Sequence, residues 1–208
     1  MAASPPPAWT TGTAPNSFAA LPAGRLGTFG GQLMRLLNRA QQREIALLLG
    51  PLDGKDVLEV GHGPGVLLGM LGRTARHVTG VDPSLEMRAL AIRAHSGAIA
   101  AGRLDVRAGD AGATGLPDAA VDLVVSVNNV AIWPDLDAGV AELHRVLRPG
   151  GRLVLSWHGG ERPSRPTRGL VLPEERLQRI ENAVRVRFPD VRRTRTQRCT
   201  VFDAGTTP

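Results

Sequence analysis

At 208 residues, 42% of them apolar, the chain is long enough for one domain with a sizeable core. Its one cysteine, Cys199, excludes an intramolecular disulfide and a metal site built from paired cysteines. No segment is long and apolar enough to cross a bilayer, and no basic-then-apolar leader begins the sequence. We therefore expect a cytoplasmic protein with no membrane partner.

The net charge of +6 raises the question of a nucleic-acid partner. From Glu161 onward the sequence holds 11 Arg against 6 acids, so most of the excess is C-terminal. Lys55 is the only lysine, and the heavy use of Ala, Gly, Pro and Arg is typical of a GC-rich genome. We favour that compositional origin, with an anionic substrate or an RNA-binding face as the alternative.

The N-terminal region divides into two parts. Residues 1–24 are rich in Ala, Pro, Ser, Thr and Gly, and we predict a flexible arm over residues 1–29. Residues 30–50 carry apolar side chains at helical spacing and end in Gly50–Pro51. This pattern predicts an amphipathic helix that either caps a ligand site or serves packing only.

From residue 55 onward, apolar strands alternate with amphipathic helices. Such alternation predicts a parallel sheet with right-handed crossovers. Ser84 is the expected cap of the second helix, and residues 149–151 form a sharp turn. The last segment, from Val191 to Phe202, predicts one long strand or a short pair. The predicted strands are 56–60, 77–81, 103–107, 121–127 and 152–157, and the helices are 64–73, 84–101, 135–147 and 173–187.

The first of these strands ends in a glycine-rich turn. Glycines follow it at alternate positions, Gly61, Gly63 and Gly65, where backbone must approach a ligand closely. Dinucleotide-binding loops have the spacing G-x-G-x-x-G, but here Val66 replaces the third glycine. Glu59, two residues before the first glycine, would repel a pyrophosphate and attract a cation. The turn therefore disfavours a nicotinamide-dependent oxidoreductase.

The sequence E-x-G-x-G-x-G resembles motif I of the class I S-adenosylmethionine-dependent methyltransferases, whose cofactor carries a sulfonium, an ammonium and a ribose. Four further stretches fit that family in order, within about residues 55–157. They are residues 80–84, 108–111, 122–129 and 143–151. The resemblance implies an α/β fold: a Rossmann-like, doubly wound sheet, mostly parallel and seven-stranded, with the last strand antiparallel. It also implies a methyltransferase domain over residues 30–208, with S-adenosyl-L-methionine as cofactor.

Several cofactor contacts are implied by this resemblance. Asp82 would accept both ribose hydroxyls, although a helix cap is an alternative. Asp110 would accept the adenine amine, although a surface turn is an alternative. His62 stands where the family more often has a smaller residue or Phe, and it would lie against the cofactor or line the pocket. The implied cofactor-binding residues are Glu59, Gly61, His62, Gly63, Gly65, Asp82, Pro83, Met87, Asp110, Ala111 and Asn128.

Methyl transfer is an in-line displacement that needs mainly proximity and orientation. A general base is required only for a poorly acidic hydroxyl or a protonated amine. His158, just after the fifth strand, is the best-placed candidate base, with an exposed loop position as the alternative. Asn129, Trp133 and His158 are the candidate substrate contacts, although Asn129 also suits a turn and Trp133 packing. We predict no metal.

The sequence therefore predicts a methyltransferase that acts on oxygen or nitrogen of a small-molecule acceptor. Residues 128–131, Asn-Asn-Val-Ala, lack the Pro-Pro-aromatic motif of enzymes that methylate amino groups of bases or glutamine. We do not expect a nucleic-acid partner, and a homodimer is possible. The alternatives are a cofactor-binding protein of the same fold with a regulatory or non-methylating role, and an RNA methyltransferase.

Overall fold

The computed structural model describes residues 7–11, 39–163 and 165–207, with only the backbone at residues 165 and 166. Its centre is a seven-stranded sheet of order β3-β2-β1-β4-β5-β7-β6. Only β7 runs antiparallel to its neighbours. This architecture confirms the predicted fold class. The strands are β1 (Asp56–Val60), β2 (His77–Val81), β3 (Leu104–Arg107), β4 (Val121–Val127), β5 (Leu147–His158), β6 (Asp190–Arg195) and β7 (Cys199–Gly205).

Helices cover both faces of the sheet. Among them, α1 occupies residues 39–49, and residues 30–38 of the helix predicted over residues 30–50 lie outside the described residues. The one long helix predicted over residues 84–101 is wrong, because the chain leaves helical geometry at His95 (φ −123°). There the ring Nε2 of His95 donates to the Gly65 carbonyl at 2.6 Å. The others are α2 (Val66–Leu71), α3 (Leu85–Ala94), α4 (Ser96–Ala100), α5 (Leu136–Val146) and α6 (Glu174–Arg185).

The predicted turn at residues 149–151 lies inside β5. The pairing of β4 with β5 shifts there, from Val121 opposite Leu147 to Leu123 opposite Arg152. Gly150 supplies the positive φ of 74° that this bulge requires. The strand therefore begins five residues before its predicted start at residue 152.

Each face of the sheet has its own hydrophobic core. The core under α5 and α6 includes Leu143, Ile180 and Phe188. The core on the other face includes Ile45 of α1 and Leu67 of α2. Because the central strands are buried on both sides, their sequences are nearly continuous apolar runs. The order in which strands are added to the sheet reverses between β1 and β4, with β2 and β3 on one side and β5 on the other. Open α/β sheets bind ligands at such a reversal point, beyond the carboxyl ends of their strands.

Within the part of the chain that the structure describes, no helix has the length and apolar character to span a membrane.

Candidate active site

The glycine-rich turn lies at the carboxyl end of β1, beside the reversal point. Gly61, Gly63 and Gly65 have φ values of 69°, 54° and 82°, which side chains rarely adopt. The N–H of Gly61 donates to the Val81 carbonyl at 2.8 Å, so the turn is tied to the end of β2. A Cβ added to Gly63 would project into open space. The turn therefore presents its backbone to open space at Gly63.

Asp82 connects the end of β2 to this turn. Its Oδ2 accepts from the Gly63 N–H at 2.8 Å, and its Oδ1 accepts from the Ser84 N–H at 2.9 Å. The hydroxyl of Ser84, in turn, caps α3 by accepting from the Met87 N–H. The cap role thus belongs to Ser84, as predicted. A carboxylate has about four acceptor positions, so Asp82 keeps lone pairs for a ligand, and its predicted contact with a ribose stays a prediction.

Glu59 is a buried acid in β1 next to the turn. Burial raises its pKa well above the ordinary value, the nearby Asp82 charge raises it further, and the Leu68 N–H opposes both effects. No described residue hydrogen-bonds its Oε2. A buried carboxylate oxygen without a partner is costly, and a cationic ligand would relieve that cost.

His62 supports the turn from the sheet side. Its Nδ1 donates to the Gly63 carbonyl at 2.6 Å, and its ring packs where a side chain on Gly80 would lie. Burial is the main influence on the ring and lowers its pKa, which keeps it neutral. The Nε2 atom has no partner among the described residues. The ring is thus placed against β2, while its predicted contact with the cofactor stays a prediction.

The loop after β3 adopts the local turn that was the alternative for Asp110. Its Oδ1 accepts from the N–H groups of Gly112 and Ala113 at 2.8 and 3.0 Å. Ala111 is buried in the core. The adenine contacts of this loop stay predictions. Of the two implied cofactor contacts that follow Asp82, Pro83 is exposed and Met87 of α3 is buried.

A chain of side-chain hydrogen bonds joins α1 to the carboxyl ends of β4 and β5. Asn128, with a left-handed φ of 60°, donates through Nδ2 to Gln41 Oε1 at 2.8 Å. Gln41 Nε2 lies 2.9 Å from His158 Nδ1 and donates to the Arg198 carbonyl at 3.3 Å. Asn128 Oδ1 is buried without a described partner. Sequence reasoning missed Gln41, whose only signal is a polar residue on the apolar side of a predicted helix.

His158 ends β5 and is buried, so the exposed loop position is wrong. Burial lowers its pKa to about 4. Its ring also meets Trp157 edge-on, with centroids 5.4 Å apart. An imidazole with this pKa is a weak base at neutral pH, and the predicted role of His158 as general base stays a prediction.

Asn129 and Trp133 are engaged inside the protein. Asn129 Nδ2 donates to the carbonyls of Val60 and Gly61 at 2.6 and 3.2 Å. Its Oδ1 accepts from the Ser126 hydroxyl and from Trp133 Nε1. Every hydrogen-bonding position of the amide is therefore occupied. The predicted substrate contacts of Asn129 and Trp133 stay predictions, and the position of Trp133 in the core matches its alternative role in packing.

Part of the predicted flexible arm contacts this edge of the sheet. Trp9 Nε1 donates to the Val130 carbonyl at 2.7 Å, and the Trp9 N–H donates to the Trp133 carbonyl at 3.0 Å. Thr10 Oγ1 donates to the Ala131 carbonyl at 2.7 Å. For residues 7–11 the prediction of a free arm is therefore wrong, because an indole can bury its ring and still satisfy its N–H. The remaining arm residues lie outside the described ranges.

Comparison with known proteins agrees with this geometry. The family described as Methyltransferase domain matches residues 58–155. YdaC, an uncharacterized methyltransferase of Bacillus subtilis, is 30% identical over 138 residues, which cover 65% of this chain and 74% of that protein. UbiE of Rubrivivax gelatinosus, a ubiquinone/menaquinone biosynthesis C-methyltransferase, is 30% identical over 119 residues, which cover 57% of this chain but only 45% of UbiE.

A solved structure extends the likeness to the whole fold. It belongs to a Methanococcus maripaludis protein described as an S-adenosyl-L-methionine-dependent methyltransferase. The two superpose with a TM-score of 0.71 at 18% identity, over 87% of this chain and 94% of the other. At this identity the superposition shows a shared fold.

Proposed function

We propose, since this chain belongs to the class I S-adenosylmethionine-dependent methyltransferases, that it transfers a methyl group to an oxygen or nitrogen of a small-molecule acceptor. The single observation that carries the proposal is the buried Glu59 carboxylate beside the glycine turn, with one oxygen unmatched by any described residue. The bound cofactor supplies a methyl group already activated by a sulfonium.

The described residues fit this cofactor. Its ammonium would give Glu59 Oε2 the donor that it lacks, and its ribose would meet the remaining lone pairs of Asp82. The open space at Gly63 admits a ligand against the backbone. Asn128 Oδ1, also buried and unmatched among described residues, is a second acceptor suited to a cationic ligand. Asp110 and Ala111 would face the adenine.

The methyl acceptors of the relatives do not identify the acceptor of this chain. The family match ends at residue 155, before His158 and the C-terminal elements. We call this part of the site, at the carboxyl ends of β4 and β5, the acceptor side. UbiE is a C-methyltransferase, and the chain spans less than half of it. The O or N acceptor therefore rests on the site itself. The shared cofactor-binding core supports only the transfer.

The C-terminal arginines favour a small molecule over RNA. Arg179 pairs with Asp137, Arg185 with Glu181, and Arg193 with Glu174. Such pairing neutralises the side chains that an RNA phosphate would need. The remaining arginines of β6 lie on an edge strand, where charge discourages pairing with other chains.

Calorimetric titration with S-adenosylmethionine and S-adenosylhomocysteine tests the proposal, and both should bind in the micromolar range. Asp82→Ala should weaken binding by about 1–3 kcal/mol, the scale of losing charge-assisted hydrogen bonds. Asp105→Ala is the matched control, since Asp105 is a partly exposed acid of β3 that pairs with Arg107. Failure of the wild-type protein to bind either compound would refute the proposal.

A further inference from the structure

The backbone carbonyl of Arg198 determines, through Gln41, which tautomer of His158 is present. A carbonyl can only accept, so the end of the Gln41 side chain that lies 3.3 Å from the Arg198 carbonyl is its nitrogen. The same nitrogen lies 2.9 Å from His158 Nδ1, which must therefore accept. A neutral imidazole has one proton, so that proton is on Nε2. The remaining oxygen of Gln41 accepts from Asn128.

The surroundings of His158 keep the ring neutral. Burial lowers its pKa to about 4. Glu44 of α1, the nearest acid on that helix, accepts from the N–H groups of Gln197 and Arg198 at 3.0 and 3.2 Å. Cys199 pairs with His158 across the sheet, and burial raises the pKa of its thiol to about 12. At neutral pH, His158 is thus an N–H donor whose Nε2 cannot take a proton.

Among the described residues, the acceptor side of the site has no other suitable base. Residues 1–43 contain no Asp, Glu, His, Lys, Cys or Tyr, so the undescribed part of that segment brings no side-chain base either. Asp135 caps α5 by accepting from the Ala138 N–H, and Glu161 is exposed in the following loop. Lys55 precedes β1 and so lies at the opposite edge of the sheet. A weakly acidic hydroxyl or an ammonium would find nothing here to deprotonate it.

The charge around the acceptor side is positive. Four segments meet there through the contacts of Gln41, Glu44 and Glu161: helix α1 (39–49), the segments 159–163 and 167–172 that follow β5, and the turn 196–198 between β6 and β7. The described residues of these segments hold 5 Arg against 2 acids, an excess of +3. This excess favours an anionic acceptor.

We infer that the acceptor is an oxygen acid, such as a carboxylate, that arrives ionised, and that Gln41 holds His158 as a neutral donor to it. This inference rests on the proposed methyl transfer and narrows its acceptor. His158 Nε2–H donates to one carboxylate oxygen while a lone pair of the other forms the new bond to the methyl carbon. The electron pair of the broken C–S bond goes to sulfur. A neutral ester and S-adenosylhomocysteine result, and no proton is released.

Nitrogen NMR of the histidine side chains at pH 7 tests the positioning role of Gln41. The His158 ring should carry its proton on Nε2 and none on Nδ1. Gln41→Met removes the hydrogen bonds to His158, Arg198 and Asn128 and should produce a mixture of tautomers. Gln42→Met changes the adjacent glutamine of the same helix and should leave the His158 signals unchanged. A protonated Nδ1 or a cationic ring in the wild-type protein would overturn the inference.

Matched acceptors test the substrate class. The wild-type enzyme is given methyl-deuterated S-adenosylmethionine with benzoate, benzyl alcohol and benzylamine, and with octanoate, octanol and octylamine. Label should appear in methyl esters at least tenfold above ethers and N-methylamines, at a rate that does not change between pH 6 and 9. Ethers or N-methylamines as main products would overturn the inference and leave methyl transfer standing, and so would the absence of any ester. Loss of cofactor binding in calorimetry would instead remove the proposed function.

Discussion

The side-chain amide of Asn129 occupies the space into which a side chain on Gly61 would project. A Cβ at Gly61 would overlap Asn129 Nδ2, which donates to the carbonyls of Val60 and Gly61. The first glycine of the turn is therefore needed for two reasons: its φ of 69° and the close approach of a neighbouring strand end. The turn of β1 and the end of β4 are thereby fastened together beside the cofactor site.

Asn129→Ala should destabilise the protein without changing acceptor recognition. The variant leaves two backbone carbonyls, the Ser126 hydroxyl and Trp133 Nε1 without this partner. We expect a loss of roughly 2–4 kcal/mol in urea unfolding, since buried polar groups without partners cost about 1–3 kcal/mol each. Asn182→Ala on the exposed side of α6 should cost much less. A raised KM for the acceptor at unchanged stability would instead support the substrate contact expected from sequence.

Gly63→Ala should weaken cofactor binding more than it weakens the fold. Gly63 and Gly102 both have positive φ, 54° and 66°, and an added Cβ at either meets no atom within 4 Å. The strain of the left-handed conformation, about 1–2 kcal/mol, is therefore common to both alanine variants. Only position 63 is tied to Asp82, whose Oδ2 accepts from the Gly63 N–H, so only this Cβ would crowd a cofactor bound there. Calorimetry should show at least a tenfold loss for Gly63→Ala and none for Gly102→Ala, and equal losses would move the cofactor elsewhere.

Local sequence patterns predicted the strands of the sheet well, because the apolar run that marks each strand lies within that strand. The bounds of β2 and β4, at His77–Val81 and Val121–Val127, match the apolar runs in the sequence. The acceptor side was predicted less well. Gln41 and His158 are 117 positions apart, and no local pattern records their contact. The same holds for Asn129, whose partners include a backbone carbonyl 69 positions away.

His158 should make the protein sensitive to mild acid. Its pKa falls from 6.5 in the unfolded chain to about 4 in the folded protein. The stability associated with the neutral ring is therefore complete above pH 6.5 and is lost as the pH falls towards 4. The shift corresponds to roughly 3 kcal/mol. Unfolding free energies measured from pH 7 to pH 4 should fall less for His158→Gln than for the wild-type protein.

The pH dependence that His158 gives to stability can be distinguished from that of Asp56, an acid paired with Arg76. The pKa of Asp56 is lowered to about 2, chiefly by its hydrogen bond to Arg76, so its contribution disappears only as the pH falls from about 4 to 2. Asp56→Asn should leave the slope between pH 6.5 and pH 4 almost unchanged. If the unfolding free energies of His158→Gln and of the wild-type protein fell equally between pH 7 and pH 4, the His158 ring would not be buried in its neutral form.

Glu59→Gln should stabilise the free protein while weakening cofactor binding. Because burial raises the pKa of Glu59, the folded state prefers the protonated acid. Its contribution to stability is complete below the unfolded pKa of 4.5 and is lost as the pH rises through the folded pKa. At pH 8 the neutral amide should therefore raise the unfolding free energy by roughly 1–3 kcal/mol. The affinity for S-adenosylmethionine should fall at least tenfold, since the amide carries no charge for the ammonium.

Glu142→Gln provides a control of opposite sign. Arg145 is the main cause that lowers the pKa of Glu142 to about 2, so this acid stabilises the folded state when ionised. Its contribution is present above pH 4.5 and is lost as the pH falls towards 2. Glu142→Gln should destabilise the protein at pH 8 and leave cofactor affinity unchanged, because Glu142 lies on α5, where it pairs with Arg145 and accepts from the Thr114 hydroxyl of the loop after β3. A drop in stability for Glu59→Gln as well would mean that Glu59 is ionised and already paired in the free protein.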